Sequence, residues 1–277
     1  MDLTRVDDLR TALKLAGIHP RKGLGQHFLI DRQSLELIID SASPDGNDTV
    51  LEIGPGLGVM TQPLTQRVGK LVAVEADVVL AELLRRDAPS NLQVVEQDIM
   101  EFDFSSMPKG YKVIANIPYY LTSRLIRLLL ENKNSPSVMS LLIQKEVAQR
   151  IVAKPGKMSI LALSVQYYAE ATYIQVVERH KFWPAPAVDS AIILIKMRDK
   201  PIFDADIPQL FRLVRAGFGE KRKQLKNSLA GGLNLSSELA TSLLLDSNIP
   251  ITARAQELSF DQWERLYRTC CDRDVFS

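Results

Sequence analysis

The run Thr49-Val50-Leu51-Glu52-Ile53 passes directly into Gly54-Pro55-Gly56-Leu57-Gly58, and this junction constrains the chain more than any other segment. A short apolar, β-branched run that breaks at glycines before helical periodicity resumes is a strand–turn–helix unit. Similar runs recur at 71–75 (LVAVE), 92–97 (LQVVEQ) and 111–115 (YKVIA), and helical periodicity separates the first three. Their apolar residues are continuous rather than alternating, as in strands of a parallel sheet covered on both faces. Right-handed crossovers then predict a doubly wound α/β layer.

The remaining punctuation places the other elements. Residues 4–17 read as a helix with Thr4 as N-cap and Gly17 closing it, and PRKGLGQHFLID reads as an arm or loop before a helix at 31–41. A further strand is predicted at 137–144, with helices at 145–153 and 159–168. Strands at 171–178 and 188–197 are separated by FWPAPA, which leaves no room for a crossover helix, so an antiparallel pair is expected. After Pro201 only helical patterns remain, at about 206–218, 221–230, 236–245 and 260–270. The predicted organisation is a Rossmann-like domain over 1–200, including the N-terminal helix and arm at 1–30, and a small all-helical domain over 201–277.

Composition narrows the class. With 46% hydrophobic and 24% charged residues and a net charge of +1, the chain has the makings of an ordinary packed core. The apolar runs at 138–143 and 191–195 are too short to span a bilayer. MDLTRVDDLR lacks the basic start and apolar run of a signal peptide, so a cytoplasmic protein is expected. Cys270 and Cys271 are adjacent, and His19, His27 and His180 are scattered. Neither a disulfide nor a metal site is expected.

Ligands of parallel α/β sheets bind where the strands end. Here those ends carry the glycine loop with Gly54 and Gly56, then Glu75-Ala76-Asp77, Gln97-Asp98-Ile99 and Asn116-Ile117-Pro118-Tyr119. A dinucleotide loop places its third glycine five residues after its first, a position held here by Val59. Glu75 suits a ribose diol and Asp98 an adenine amino group, while no basic side chain stands ready for a pyrophosphate. The ligand predicted is a nucleoside without phosphates, and S-adenosylmethionine, with its sulfonium charge, satisfies all of these conditions.

The fourth strand end points to the reaction. The lone pair of a nucleobase amine is delocalised into its ring, so the amine is a poor nucleophile. Acceptance of its hydrogens by the Asn116 side chain and the Ile117 carbonyl favours a pyramidal geometry that exists only near the transition state. Tyr119 is placed to stack on the base and align the amine with a methyl donor.

GLGQHFLID, LEIGPGLG, NIPYYLTS, QKEVAQR, FWPAPAVDS and GFGEKRKQLKNSL, in that order, resemble the small-subunit ribosomal RNA adenine dimethyltransferases from about residue 20 to 270. The resemblance implies a Rossmann-like methyltransferase domain followed by a small helical domain. It also implies N6 dimethylation of two adjacent adenosines near the 3′ end of small-subunit rRNA, within a late pre-ribosomal particle. Cofactor contacts carried over are His27, Leu29, Gly54, Glu75, Asp98 and Asn116, and Gly56, Ala76 and Ile99 stand beside them. His27 departs from the asparagine more usual in the family. Phe182 matches the aromatic expected to hold the flipped base from its other face.

Charge is unevenly spread. Between Asp45 and Ser105 eleven acids face four bases, whereas Arg21 and Lys22 on the arm, and Lys221, Arg222, Lys223 and Lys226 further on, form basic segments. These are read either as solvated helix faces or as contacts to RNA phosphates. Three rivals remain open at this point: a large-subunit rRNA methyltransferase, a non-catalytic RNA-binding assembly factor and a DNA adenine methyltransferase. A monomer is the default state.

Overall fold

The computed structural model describes residues 1–18, 20, 26–86, 88–220 and 223–276. The chain divides into two compact units, Met1–Gln149 with Glu170–Met197, and Arg150–Ala169 with Arg198–Ser277.

In chain order the first unit carries α1 (Val6–Leu15), β1 (Phe28–Leu29), α2 (Arg32–Ser41), β2 (Thr49–Ile53), α3 (Thr61–Thr65), β3 (Lys70–Glu75) and α4 (Val78–Arg86). It continues with β4 (Leu92–Glu96), β5 (Lys112–Asn116), α5 (Thr122–Glu131) and β6 (Val138–Gln144). After α6 (Lys145–Ile151) and α7 (Ile160–Tyr168) come β7 (Ala169–Val177), β8 (Phe182–Trp183) and β9 (Ser190–Met197). The second unit ends in α8 (Ile207–Phe218), α9 (Leu225–Leu233), α10 (Ser237–Asp246) and α11 (Phe260–Asp272).

The main sheet has seven strands in the order β4-β3-β2-β5-β6-β9-β7. β2 pairs in parallel with β3 on one side and β5 on the other, so the chain winds outward through β4 and then returns to the opposite side of β2. That reversal opens a crevice at the strand ends. The apolar runs have the expected cause: Val113, Ile114 and Ala115 of β5 and Met139, Leu141, Leu142 and Ile143 of β6 are fully buried. β4 departs from that pattern, since it forms a sheet edge and its residues are half-buried or exposed. On α5 the stripe Leu125, Ile126, Leu129 and Leu130 is buried, each side chain contributing about 1.5–3 kcal/mol on leaving water.

β9 runs antiparallel to β6, with Ser140 opposite Leu194. It also neighbours β7, and the Arg198 amide just past its end donates to the Tyr168 carbonyl just before β7 begins, at 3.0 Å. The two strands therefore run antiparallel, as expected.

Three expectations need correction. Thr4 does not cap α1: the N-cap is Arg5, without a side-chain bond, and the Thr4 hydroxyl donates to Asp2 Oδ1 at 2.6 Å. The upstream carboxylate outcompetes the helix terminus for this hydroxyl. Next, the arm and the FWPAPA segment are not a plain loop and turn. They form a second, two-stranded antiparallel sheet in which Phe28 faces Trp183 and Leu29 faces Phe182. Finally, α7 belongs to the second unit, not to the sheet layer, because Leu163 and Tyr167 pack into a core with Phe203, Phe211, Leu213 and Trp263. The expected boundary near Pro201 therefore omits the segment Arg150–Ala169.

The second unit is closed by good caps. Asp206, Ser236 and Ser259 accept from Gln209, Leu239 and Gln262 amides, and Ser259 with Gln262 completes a capping box. Gly217 lies against the Trp263 ring, where a Cβ would stand 2.8 Å from Cη2.

Candidate active site

A cavity of about 350 Å³ opens where β2, β3 and β5 end. Its floor is the glycine loop. Gly54 and Gly56 have φ of +65° and +60°, a region that side chains rarely adopt. A Cβ on Gly54 would meet no atom within 4 Å, so the missing side chain leaves open cavity, whereas one on Gly56 would press on Phe28 at 3.0 Å.

Glu75 closes the loop from the next strand. Its Oε2 accepts from the Gly56 amide and its Oε1 from the Asp77 amide, both at 3.0 Å. Burial raises its carboxyl pKa against the opposing pull of those amides, and each oxygen keeps a second lone pair for a ligand hydroxyl. Asp98 uses Oδ1 to cap the short turn after β4, accepting from the Met100 amide at 2.9 Å, and remains exposed beside Ile99 at the cavity edge.

The reaction end is built from β5 and the arm. Asn116 Nδ2 donates to the His27 carbonyl at 3.1 Å, which fixes the orientation of the amide and of its acceptor, Oδ1. The Ile117 amide donates to the Leu142 carbonyl at 3.1 Å and its side chain is buried, so the backbone here is fixed. His27 Nδ1 donates to the Pro184 carbonyl at 2.7 Å, leaving Nε2 as acceptor in the neutral ring. The Tyr119 hydroxyl pairs with Ser190 Oγ at 2.7 Å while its ring stacks on His27, with centroids 6.1 Å apart. Burial first, and then Asp189, raise the Tyr119 pKa, so this phenol stays protonated near neutrality.

The cavity brings together His27, Leu29, Gly54, Gly56, Glu75 and Ala76 with Asp98, Ile99, Asn116 and Pro118. Other predicted residues stand elsewhere. Ile117 and Tyr119 adjoin the cavity without lining it. Phe182 is 2% exposed and packs among Leu29, Leu35, Ile38 and Val177. In this arrangement its ring is covered by the core that it shares with Leu29, its partner across the two-stranded sheet. Lys223 is exposed and pairs with Glu220 at 2.8 Å, and Lys226 lies half-buried on α9. Arg21, Lys22, Lys221 and Arg222 lie outside the described residues.

Among the lining residues that sequence reasoning passed over are Glu52 and Tyr120. Glu52 is 1% exposed, accepts from the Thr61 hydroxyl at 2.7 Å, and is pushed up to about 8 by burial, with the Glu75 charge adding to the shift. Its signal was an acid in the middle of an otherwise apolar strand. Tyr120 lines the cavity yet is 64% exposed. Its signal was a second tyrosine directly after NIPY.

A model of the ribosomal RNA adenine dimethylase family matches residues 18–271. The chain belongs to that family. A relative in Dehalococcoides mccartyi, named ribosomal RNA small subunit methyltransferase A, is 41% identical over 252 residues, covering 89% of this chain and 87% of that protein. One of the same name in Desulfitobacterium hafniense is 38% identical, covering 90% and 92%. Among solved structures, a dimethyladenosine transferase from Plasmodium falciparum superposes with a TM-score of 0.79 at 25% identity, covering 90% of this chain and 98% of the other. The 23S rRNA methyltransferase ErmE follows with a TM-score of 0.70 at 26% identity, covering 87% and 98%. As a dimethylase, this enzyme carries an Asn116 whose side-chain amide is tied to the arm through the His27 carbonyl. Among its described residues, no helix is long and apolar enough to cross a membrane.

Proposed function

We propose that this enzyme transfers methyl groups from S-adenosylmethionine to N6 of two adjacent adenosines near the 3′ end of small-subunit rRNA, within a pre-ribosomal particle in the cytoplasm. The observation that supports this reading is the hydrogen bond from Asn116 Nδ2 to the arm, which leaves Oδ1 as the atom to accept from a substrate amine.

The cavity fits the cofactor. Gly54 leaves open space, Glu75 offers lone pairs to ribose hydroxyls, and Asp98 offers its second oxygen to an adenine amino group. When bound, S-adenosylmethionine supplies a methyl group activated by the sulfonium charge. In the first transfer Asn116 Oδ1 and the Ile117 carbonyl accept the two amine hydrogens, and in the second, one of them accepts the hydrogen that remains. Each time they draw the nitrogen lone pair out of conjugation as the methyl group passes from sulfur to nitrogen. Tyr119, held by Ser190 and His27, aligns the base. The methylated ammonium then releases its proton to solvent, so no strong base is required, and the protonated Tyr119 phenol is not one. Arg21, Lys22, Lys221, Arg222, Lys223 and Lys226 serve as phosphate contacts, which accounts for basic segments in a chain with a net charge of only +1. The enzyme acts as a monomer and uses no metal.

The test is methylation of unmethylated small subunits, large subunits and naked rRNA in parallel, followed by nucleoside analysis. Dimethyladenosine confined to small subunits is expected. Methylation of large subunits alone would move the enzyme to the group of ErmE.

A further inference from the structure

The NIPYY and FWP segments carry four aromatic residues, of which three have their rings or polar ends engaged. Tyr119 is tied to Ser190 and stacked on His27, Phe182 is in the core, and Trp183 carries the Arg10 guanidinium over its ring at 5.3 Å. Tyr120 differs. Among the described residues its side chain makes no recorded hydrogen bond or ring contact, and it is 64% exposed although it lines the rim of the cavity. Its backbone, by contrast, is fixed. The Leu121 amide donates to the Pro118 carbonyl at 3.0 Å, the Thr122 amide to the Tyr119 carbonyl at 3.4 Å, and α5 starts at Thr122. A free ring on a fixed turn at the mouth of a site is a preorganised stacking surface, because little backbone freedom remains to be lost on binding.

We propose that Tyr120 stacks on the unpaired nucleobase adjacent to the adenosine being methylated. This rests on the reading that two neighbouring adenosines are the substrate. The target amine must reach the half-buried Asn116, whereas Tyr120 stands four residues further along and out at the rim, so a base on its ring lies beside the reacting one. Stacking tolerates differences of sequence, since every base has a π-face. The ring therefore takes whichever adenosine of the pair is not in the site, and so holds the two in register.

The test compares wild type with Tyr120→Ala and Tyr120→Phe on unmethylated small subunits, alongside calorimetric affinity for S-adenosylmethionine. Tyr120→Ala should raise KM for the subunits about tenfold, the size of one lost base–aromatic stack, and Tyr120→Phe should restore it. The thermal midpoint should not change, and cofactor affinity should fall far less than KM for the subunits rises. On reconstituted subunits with an abasic nucleotide next to the target, wild type and Tyr120→Ala should become equal. An unchanged KM in Tyr120→Ala, or a KM rise matched by lost cofactor affinity, would overturn the inference, the latter by showing that the ring acts only on the cofactor in the cavity it lines. Wild type inactive on every small subunit would instead overturn the functional reading beneath it.

Discussion

Leu29 and Phe182 face each other across the two-stranded sheet, which ties the arm carrying His27 to the segment that precedes Trp183. The Ile30 amide extends this tie by donating to the Lys181 carbonyl at 2.9 Å. The arm bonded to Asn116 is thus held by packing on Phe182, which predicts an indirect contribution of Phe182 to activity. Phe182→Ala should cost about 3–5 kcal/mol of stability by opening a core cavity. Phe182→Leu should cost under about 1.5 kcal/mol and keep most methyl transfer. Denaturant melts and single-turnover assays check both. A stable Phe182→Leu enzyme without activity would return Phe182 to the base.

The strand ends were legible in the sequence because their cues are local: a β-branched run, then glycine, acid or asparagine. Glu75 and Asp98 needed no tertiary information to be placed at one sheet edge. The pairing of β1 with β8 was not legible, since two-residue strands have no periodicity and their partners lie more than 150 residues apart. Phe182 followed that pairing into the core. Similarly, α7 is apolar around much of its surface and its sequence does not say which core receives it. Glu52 was read only as part of a strand, because its protonation is set by burial.

Glu52 gives the protein without cofactor a distinctive pH dependence. The unfolded chain releases this proton near the ordinary carboxylate range, whereas the folded state holds it up to about 8. The native state therefore binds more protons between these limits, and stability falls as pH rises through the window. Glu75, also raised, acts in the same direction. Melting temperatures taken from about pH 5 to about pH 9 should decline in wild type and flatten in Glu52→Gln. Parallel curves would refute the assignment.

Glu75→Gln replaces the acceptor of the Gly56 and Asp77 amides with an amide that can satisfy only one of them well. Charged acceptors are worth about 1.5–3 kcal/mol, so affinity for S-adenosylmethionine should fall at least about tenfold. Calorimetry reads this directly, and kcat at saturating cofactor should change far less.

Tyr119→Phe removes the partner of Ser190, which is fully buried. An unsatisfied hydroxyl there should cost about 1–3 kcal/mol, measured by melting, while the remaining ring keeps much of the activity. Complete loss of activity in a well-folded Tyr119→Phe enzyme would mean that the phenol takes part in proton transfer.

The most direct test of the central claim is methyl transfer from labelled S-adenosylmethionine to unmethylated small subunits by wild type and Asn116→Ala, with cofactor affinity measured on both. The account predicts label in dimethyladenosine for wild type and a loss of at least about a hundredfold in kcat for the variant, at nearly unchanged affinity. An Asn116→Ala enzyme that methylates adenosine at the wild-type rate would contradict it.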